Sequence, residues 1–183
     1  MGYYHVNRTL KGIILKKFDL SILTETILDN WLPDVSWINK NYPDVCKCSY
    51  NEMSKEEKLI LLGCLIEMPY CYIAPKNVSD MTPAIAKEIY LNKHYRVAFM
   101  LNAIALIFCY QHDYPIDSFE CLSDYDDTWM FVCTVVFPLK EYNEKLSKMT
   151  ESVMAKELSE YLTIVTRENY PEEIYWCEEY IKE

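Results

Sequence analysis

Glycine is nearly absent from this chain. Three occur in 183 residues, Gly2, Gly12 and Gly63, where average usage of about 7% would give roughly a dozen. Glycine supplies the positive φ angles of tight hairpin turns. Its scarcity argues against a meander of short strands and favours helices joined by polar or proline-marked loops. It also excludes a glycine-rich phosphate loop. The chain has no Gly-x-Ser-x-Gly, His-Glu-x-x-His or Glu-x-x-His pattern and only three histidines, His5, His94 and His112.

Long apolar runs are lacking as well. The longest, Val97 to Phe108, is broken by Asn102 and falls short of the ~20 residues a bilayer requires. It reads as a buried core helix. Met1-Gly2-Tyr3-Tyr4-His5 lacks the apolar core of a secretory leader. Val6 stands where an N-myristoylation signal needs Ser or Thr. Eight cysteines occur, but Cys64, Cys109 and Cys133 lie inside apolar runs, where a free thiol acts as a small hydrophobe. These features point to a reducing, cytoplasmic setting without disulfides. Cys46-Lys47-Cys48 could form half of a metal site. No second pair follows at zinc-like spacing, so no metal and no other cofactor is expected.

Apolar residues make up 51% of the sequence, enough for a sizeable core in one domain spanning 1–183. Helical spacing is found over Arg8 to Phe18 and over Ser21 to about Trp31. Ser54-Lys55-Glu56-Glu57 is a capping box and predicts a helix from Lys55 to about Glu67. Thr82-Pro83 places a cap residue before a proline at the first helical position. From there the spacing predicts one long central helix over 83–111. Lys140 to Thr166 reads as one or two helices. A last helix is predicted from Pro171, with Glu172 and Glu173 in its first turn, where carboxylates favour the helix dipole. Trp129 to Phe137 suits a buried strand or a buried helix, and the lack of another strong strand candidate favours the helix. The expected fold is therefore all-α, a compact multi-helix bundle with at most a minor β element at 129–137. Asn/Asp-Tyr-Pro recurs at residues 41, 113 and 169 and reads as loop-to-helix punctuation.

Charge is distributed unevenly. Residues 1–60 hold eight basic and eight acidic groups, 61–112 hold four and three, and 113–183 hold six and seventeen. The acidic C-terminal third (113–183) thus carries the whole net charge of -10. A solvated, solubility-giving face would account for it. So would recognition of a basic partner, because a concentrated negative surface steers a positive one. Two features favour recognition. Asp124-Tyr125-Asp126-Asp127-Thr128-Trp129 interleaves carboxylates with aromatics. On the predicted last helix, Trp176 and Tyr180 stand four apart, flanked by Glu172, Glu173 and Glu179, and aromatics of this kind anchor interfaces. No basic stripe exists for direct nucleic-acid binding, and an anionic membrane is disfavoured for the same reason. Arg8, Lys11, Lys16 and Lys17 read as a solvated helix face.

The sequence therefore predicts a non-catalytic acidic binding protein, of immunity, antitoxin or nucleic-acid-mimicking inhibitor type. It would neutralise a basic protein such as a toxin or nuclease. Asp124, Asp126, Asp127, Trp129, Glu173, Trp176, Glu179 and Tyr180 would form the partner-binding surface. Two alternatives remain open. One is a helical adaptor holding a partner helix in an apolar groove. The other is an enzyme using His94 or His112, with Cys109 one turn before His112.

Overall fold

The computed structural model describes residues 4–16, 22, 25–26, 54–65, 71–77, 80–115, 118–123, 129–133 and 148–182. Among them are four helices and one antiparallel four-stranded sheet, so the expected all-α bundle is replaced by an α+β fold. The elements in chain order are β1 (Tyr4–Ile14), α1 (Lys55–Leu65), α2 (Pro83–Leu91), α3 (Arg96–Gln111), β2 (Phe119–Ser123), β3 (Trp129–Cys133), α4 (Glu151–Thr166) and β4 (Tyr175–Lys182).

Internal contacts gather the chain into two compact units, one of residues 1–18 with 108–183 and one of residues 19–107. The division falls inside α3, between Ile107 and Phe108. In the unit of residues 19–107, α1 starts at the capping box read from the sequence. The Ser54 N–H donates to Glu57 Oε2 at 2.7 Å and the Glu57 N–H donates to Ser54 Oγ at 3.2 Å. The Ser54 backbone N–H, and after it the Ser54 side chain, hold the Glu57 carboxyl below its usual range. The Thr82 hydroxyl caps α2 by accepting the Ile85 N–H at 3.3 Å. The long helix expected over 83–111 is two helices. Asn92 takes an extended conformation, and its side chain accepts the His94 N–H. Arg96 reaches back to the freed Tyr90 carbonyl, donating through Nε at 2.9 Å. The apolar run after this break is the buried helix expected: Phe99, Met100, Leu101 and Ile104 are at most 1% exposed. Gly63 lets α1 approach closely, since a Cβ there would lie 2.9 Å from Ala86 Cβ and 2.7 Å from the Phe99 ring.

The other unit holds the sheet, in the order β2-β3-β1-β4 with every neighbouring pair antiparallel. Three segments read as helical are strands. Arg8 to Phe18 was expected as the first helix, yet Tyr4–Ile14 is an inner strand. Leu10 and Ile13 point to opposite faces and both are buried, so the period-2 alternation that marks a half-exposed strand is missing. Trp129–Cys133 is likewise an inner strand, with its last four residues buried. The helix expected from Pro171 is β4, paired along β1 from Tyr4↔Lys182 to Gly12↔Tyr175. The expected second helix (21–31) lies outside the described residues except for helical positions 22, 25 and 26.

Helix α4 begins at a Thr150 cap, whose hydroxyl accepts the Val153 N–H at 3.2 Å, and packs against β1. Between helices and sheet lies an aromatic cluster. Phe108 contacts Phe119 at 4.8 Å, Tyr161 at 5.1 Å and Phe131 at 5.3 Å between ring centroids. Leu10, Met130 and Val132 form a second apolar cluster on the opposite face of the sheet. In both described Asn/Asp-Tyr-Pro segments the tyrosine is buried and its hydroxyl engaged. Tyr114 donates to the Glu157 carboxylate, and Tyr170 accepts the Lys16 N–H at 3.0 Å. These segments lead into strands, not helices as expected. Five described cysteines, Cys64, Cys71, Cys109, Cys121 and Cys133, are free and buried. Among the described residues, no helix is long and apolar enough to cross a membrane.

Candidate functional site

The C-terminal strand carries an exposed aromatic of the expected surface. Trp176 is 63% exposed and lies opposite Lys11 in the β1–β4 register. Directly paired residues share a sheet face, so Lys11 and Trp176 stand side by side. The Lys11 ammonium lies 4.2 Å from the Trp176 ring centroid and 2.6 Å from Glu151 Oε2. Glu151 starts α4, where a carboxylate also meets the helix dipole. Tyr175 and Trp176 follow the exposed Glu172 and Glu173. The Tyr175 hydroxyl donates to Glu173, which pushes its own ionisation upward.

The structure brings together only part of the expected set. Glu173 and Trp176 lie close in the chain and exposed. Glu179 and Tyr180 are in β4, at positions paired with Arg8 and Val6. Strand pairing replaces the helical argument for them: positions 176 and 180 fall on one face and 179 on the other. Trp129 opens β3, is half-buried, and its carbonyl accepts the Leu15 N–H at 2.7 Å. It is a sheet residue and not an exposed anchor. Asp124, Asp126 and Asp127 lie outside the described residues.

Sequence reasoning missed Lys11 and Glu151. Lys11 had been grouped with Arg8, Lys16 and Lys17 on a solvated helix face. In the strand it is 17% exposed and bound to a carboxylate and an indole. Lys16 donates through Nζ to the Asn169 carbonyl and lies over the Tyr170 ring at 5.4 Å. Nothing local in the sequence places residue 11 beside residues 151 and 176. The consequence is electrostatic. Residues 1–18 contribute four basic groups to the unit that holds the acidic third, which leaves that unit at net -7 instead of -11. It remains anionic, with a basic strand set within it.

His94 and His112 belong to different units. His94 is exposed in the turn between α2 and α3, edge-on to Tyr95 at 4.9 Å. His112 closes α3, with Nδ1 3.0 Å from the Phe108 carbonyl oxygen and its ring parallel to Tyr114 at 6.0 Å. Cys109, one turn before His112, is 1% exposed. The described residues contain no group of three or more His, Cys, Asp or Glu positioned to hold a metal ion. In the unit of residues 19–107, a cavity of about 340 Å³ has Leu59, Ile60, Tyr90 and Leu91 among its lining. The Lys87–Glu56 ion pair, at 2.5 Å, stands on its rim. No family model, curated protein or solved structure matches the chain, so its function is argued from its own residues.

Proposed function

We propose that the chain is a non-catalytic, cytoplasmic binding protein that neutralises a basic protein partner, in the manner of an immunity protein or an inhibitor imitating phosphate charge. The observation that carries this reading is the exposed Trp176, beside Tyr175 and the exposed carboxylates of Glu151, Glu172 and Glu173. A large aromatic left in solvent, with the Lys11 ammonium against its ring and exposed carboxylates nearby in the chain, is suited to anchoring a partner, while the carboxylates steer its approach. Lys11 fixes the indole from beneath, which lowers the ordering cost on binding.

The test uses immobilised wild-type chain and a Glu172→Lys/Glu173→Lys/Trp176→Ala variant against a lysate of the native host. A basic protein should be retained by the wild type, released on raising salt, and lost from the variant. Its activity should fall on stoichiometric addition of the wild type. Retention that is indifferent to salt and to these substitutions would overturn the reading.

A second reading has one observation of its own, the cavity floored by Leu59, Ile60, Tyr90 and Leu91. An apolar groove of that kind accommodates a partner helix. Binding there would resist salt and be weakened by Leu59→Glu, which leaves the Trp176 surface intact.

A further inference from the structure

The sheet order β2-β3-β1-β4 places β4 at the margin of the sheet. Its inner side pairs with β1 along its full length. Its outer side has no strand partner among the described residues. An edge strand presents backbone N–H and C=O groups at alternate residues, ready to pair with another chain. At eight residues (Tyr175–Lys182), β4 is longer than the ~5–6 typical of strands. The opposite edge, β2, has only five residues, of which Phe119 and Cys121 are buried.

We propose that the outer edge of β4 receives an extended, lysine- or arginine-bearing segment of the partner as a fifth strand. This rests on the reading of the chain as a binder of a basic protein and specifies how that partner docks. The sequence of β4, Tyr-Trp-Cys-Glu-Glu-Tyr-Ile-Lys, selects the occupant. A second copy paired antiparallel about the strand centre would set Glu178 and Glu179 against the same residues of its neighbour. Like charges directly opposite destabilise such a pair. An incoming strand with cations at those positions turns the repulsion into cross-strand attraction. The carboxylates that oppose self-pairing in this register therefore favour a basic strand. At the entrance, Glu172 and Glu173 add negative charge, and the exposed Tyr175 and Trp176 offer aromatic surface for cross-strand contacts. Backbone pairing would supply affinity, and the side chains specificity.

The experiment uses the full chain, labelled with nitrogen-15, and two octapeptides of equal charge, one alternating Lys-Val and one alternating Lys-Pro. Both are extended, but proline lacks the N–H that a ladder needs. The Lys-Val peptide should bind at least about tenfold more tightly. On binding, every second amide of 175–182 should pass from fast to slow hydrogen exchange. A Glu178→Gln/Glu179→Gln variant, checked for an unchanged amide spectrum, should lose about tenfold in affinity. Equal binding of the two peptides, with the β4 amides still exchanging fast, overturns strand addition while leaving an electrostatic binder intact. Unchanged affinity in the double variant overturns the selection by carboxylates. Failure of both peptides to bind overturns the inference, whereas the parent reading stands or falls on salt-released capture of a basic protein.

Discussion

Gly12 shows how much one position can decide. It lies in β1 opposite Val132, and a Cβ built there would be 2.1 Å from the Phe131 carbonyl oxygen and 2.7 Å from Val132 Cα. Both obstacles are backbone of a paired strand, so neither can turn aside. Gly12→Ala should therefore force β1 away from β3 and cost about 3 kcal/mol or more, the upper range for overpacking. Gly63→Ala is the informative comparison. Its nearest obstacle is the edge of the Phe99 ring, a side chain that can shift, with the less yielding Ala86 Cβ at 2.9 Å, and alanine also gains up to about 1 kcal/mol of helix propensity. Urea unfolding of the two variants should show Gly12→Ala as the more damaging by about 2 kcal/mol. Equal losses would mean that the close approach of β1 and β3 is not rigid. Two of the three glycines thus serve close contacts between elements. Their rarity reported on turns far less than the sequence reading assumed.

At the scale of elements, helices announced themselves where their signals were local. The Ser54 capping box and Thr82-Pro83 are short patterns, and each lies where a helix begins. Thr150 belongs to the same class. Its hydroxyl satisfies one of the free N–H groups at the start of α4, the helix that buries Met154, Leu158, Leu162 and Val165. Thr150→Ala should cost about 1 kcal/mol, read as a lower thermal midpoint, while Val153→Ala, at a position 45% exposed, should stay within about 0.5 kcal/mol of the wild type. If the two behave alike, the cap is not holding α4. Strands were misread because their evidence is non-local. Leu10 and Ile13 satisfy helical spacing as well as they satisfy an inner strand covered on both faces. Glu172 and Glu173 look like the first turn of a helix until β1 is found pairing with the residues after them. The same gap hid half of the candidate site. Trp176 could be singled out as an exposed aromatic among carboxylates, but Lys11 and Glu151 reach it only through strand pairing and helix packing that span most of the chain.

For the molecule as a whole, burial of weak acids sets an alkaline limit on stability. Tyr161 and Tyr170 are held protonated above the ordinary tyrosine value of 10.0, mainly because burial disfavours the phenolate. Tyr114 is shifted the same way, by burial first and then by its bond to Glu157. Cys64 and Cys121 are raised from 9.0, again mainly by burial. In the unfolded chain these groups release protons near 9.0 and 10.0, whereas the folded chain retains them to higher pH. Stability from them is complete below about pH 9 and falls as pH rises beyond it, at up to about 1.4 kcal/mol per unit for each group. The surplus of acidic groups, net -10, pushes in the same direction through self-repulsion. A substitution separates the two effects. Tyr161→Phe removes one titrating phenol and leaves the charge at neutral pH unchanged, so its stability should decline less steeply than that of the wild type between about pH 9 and pH 11. Urea midpoints across that range give the slopes. Tyrosinate absorbance should rise in two stages, the exposed phenols first and the buried ones only as the chain unfolds. Parallel slopes for the two proteins, with a single smooth rise in absorbance, would show that Tyr161 titrates as though exposed.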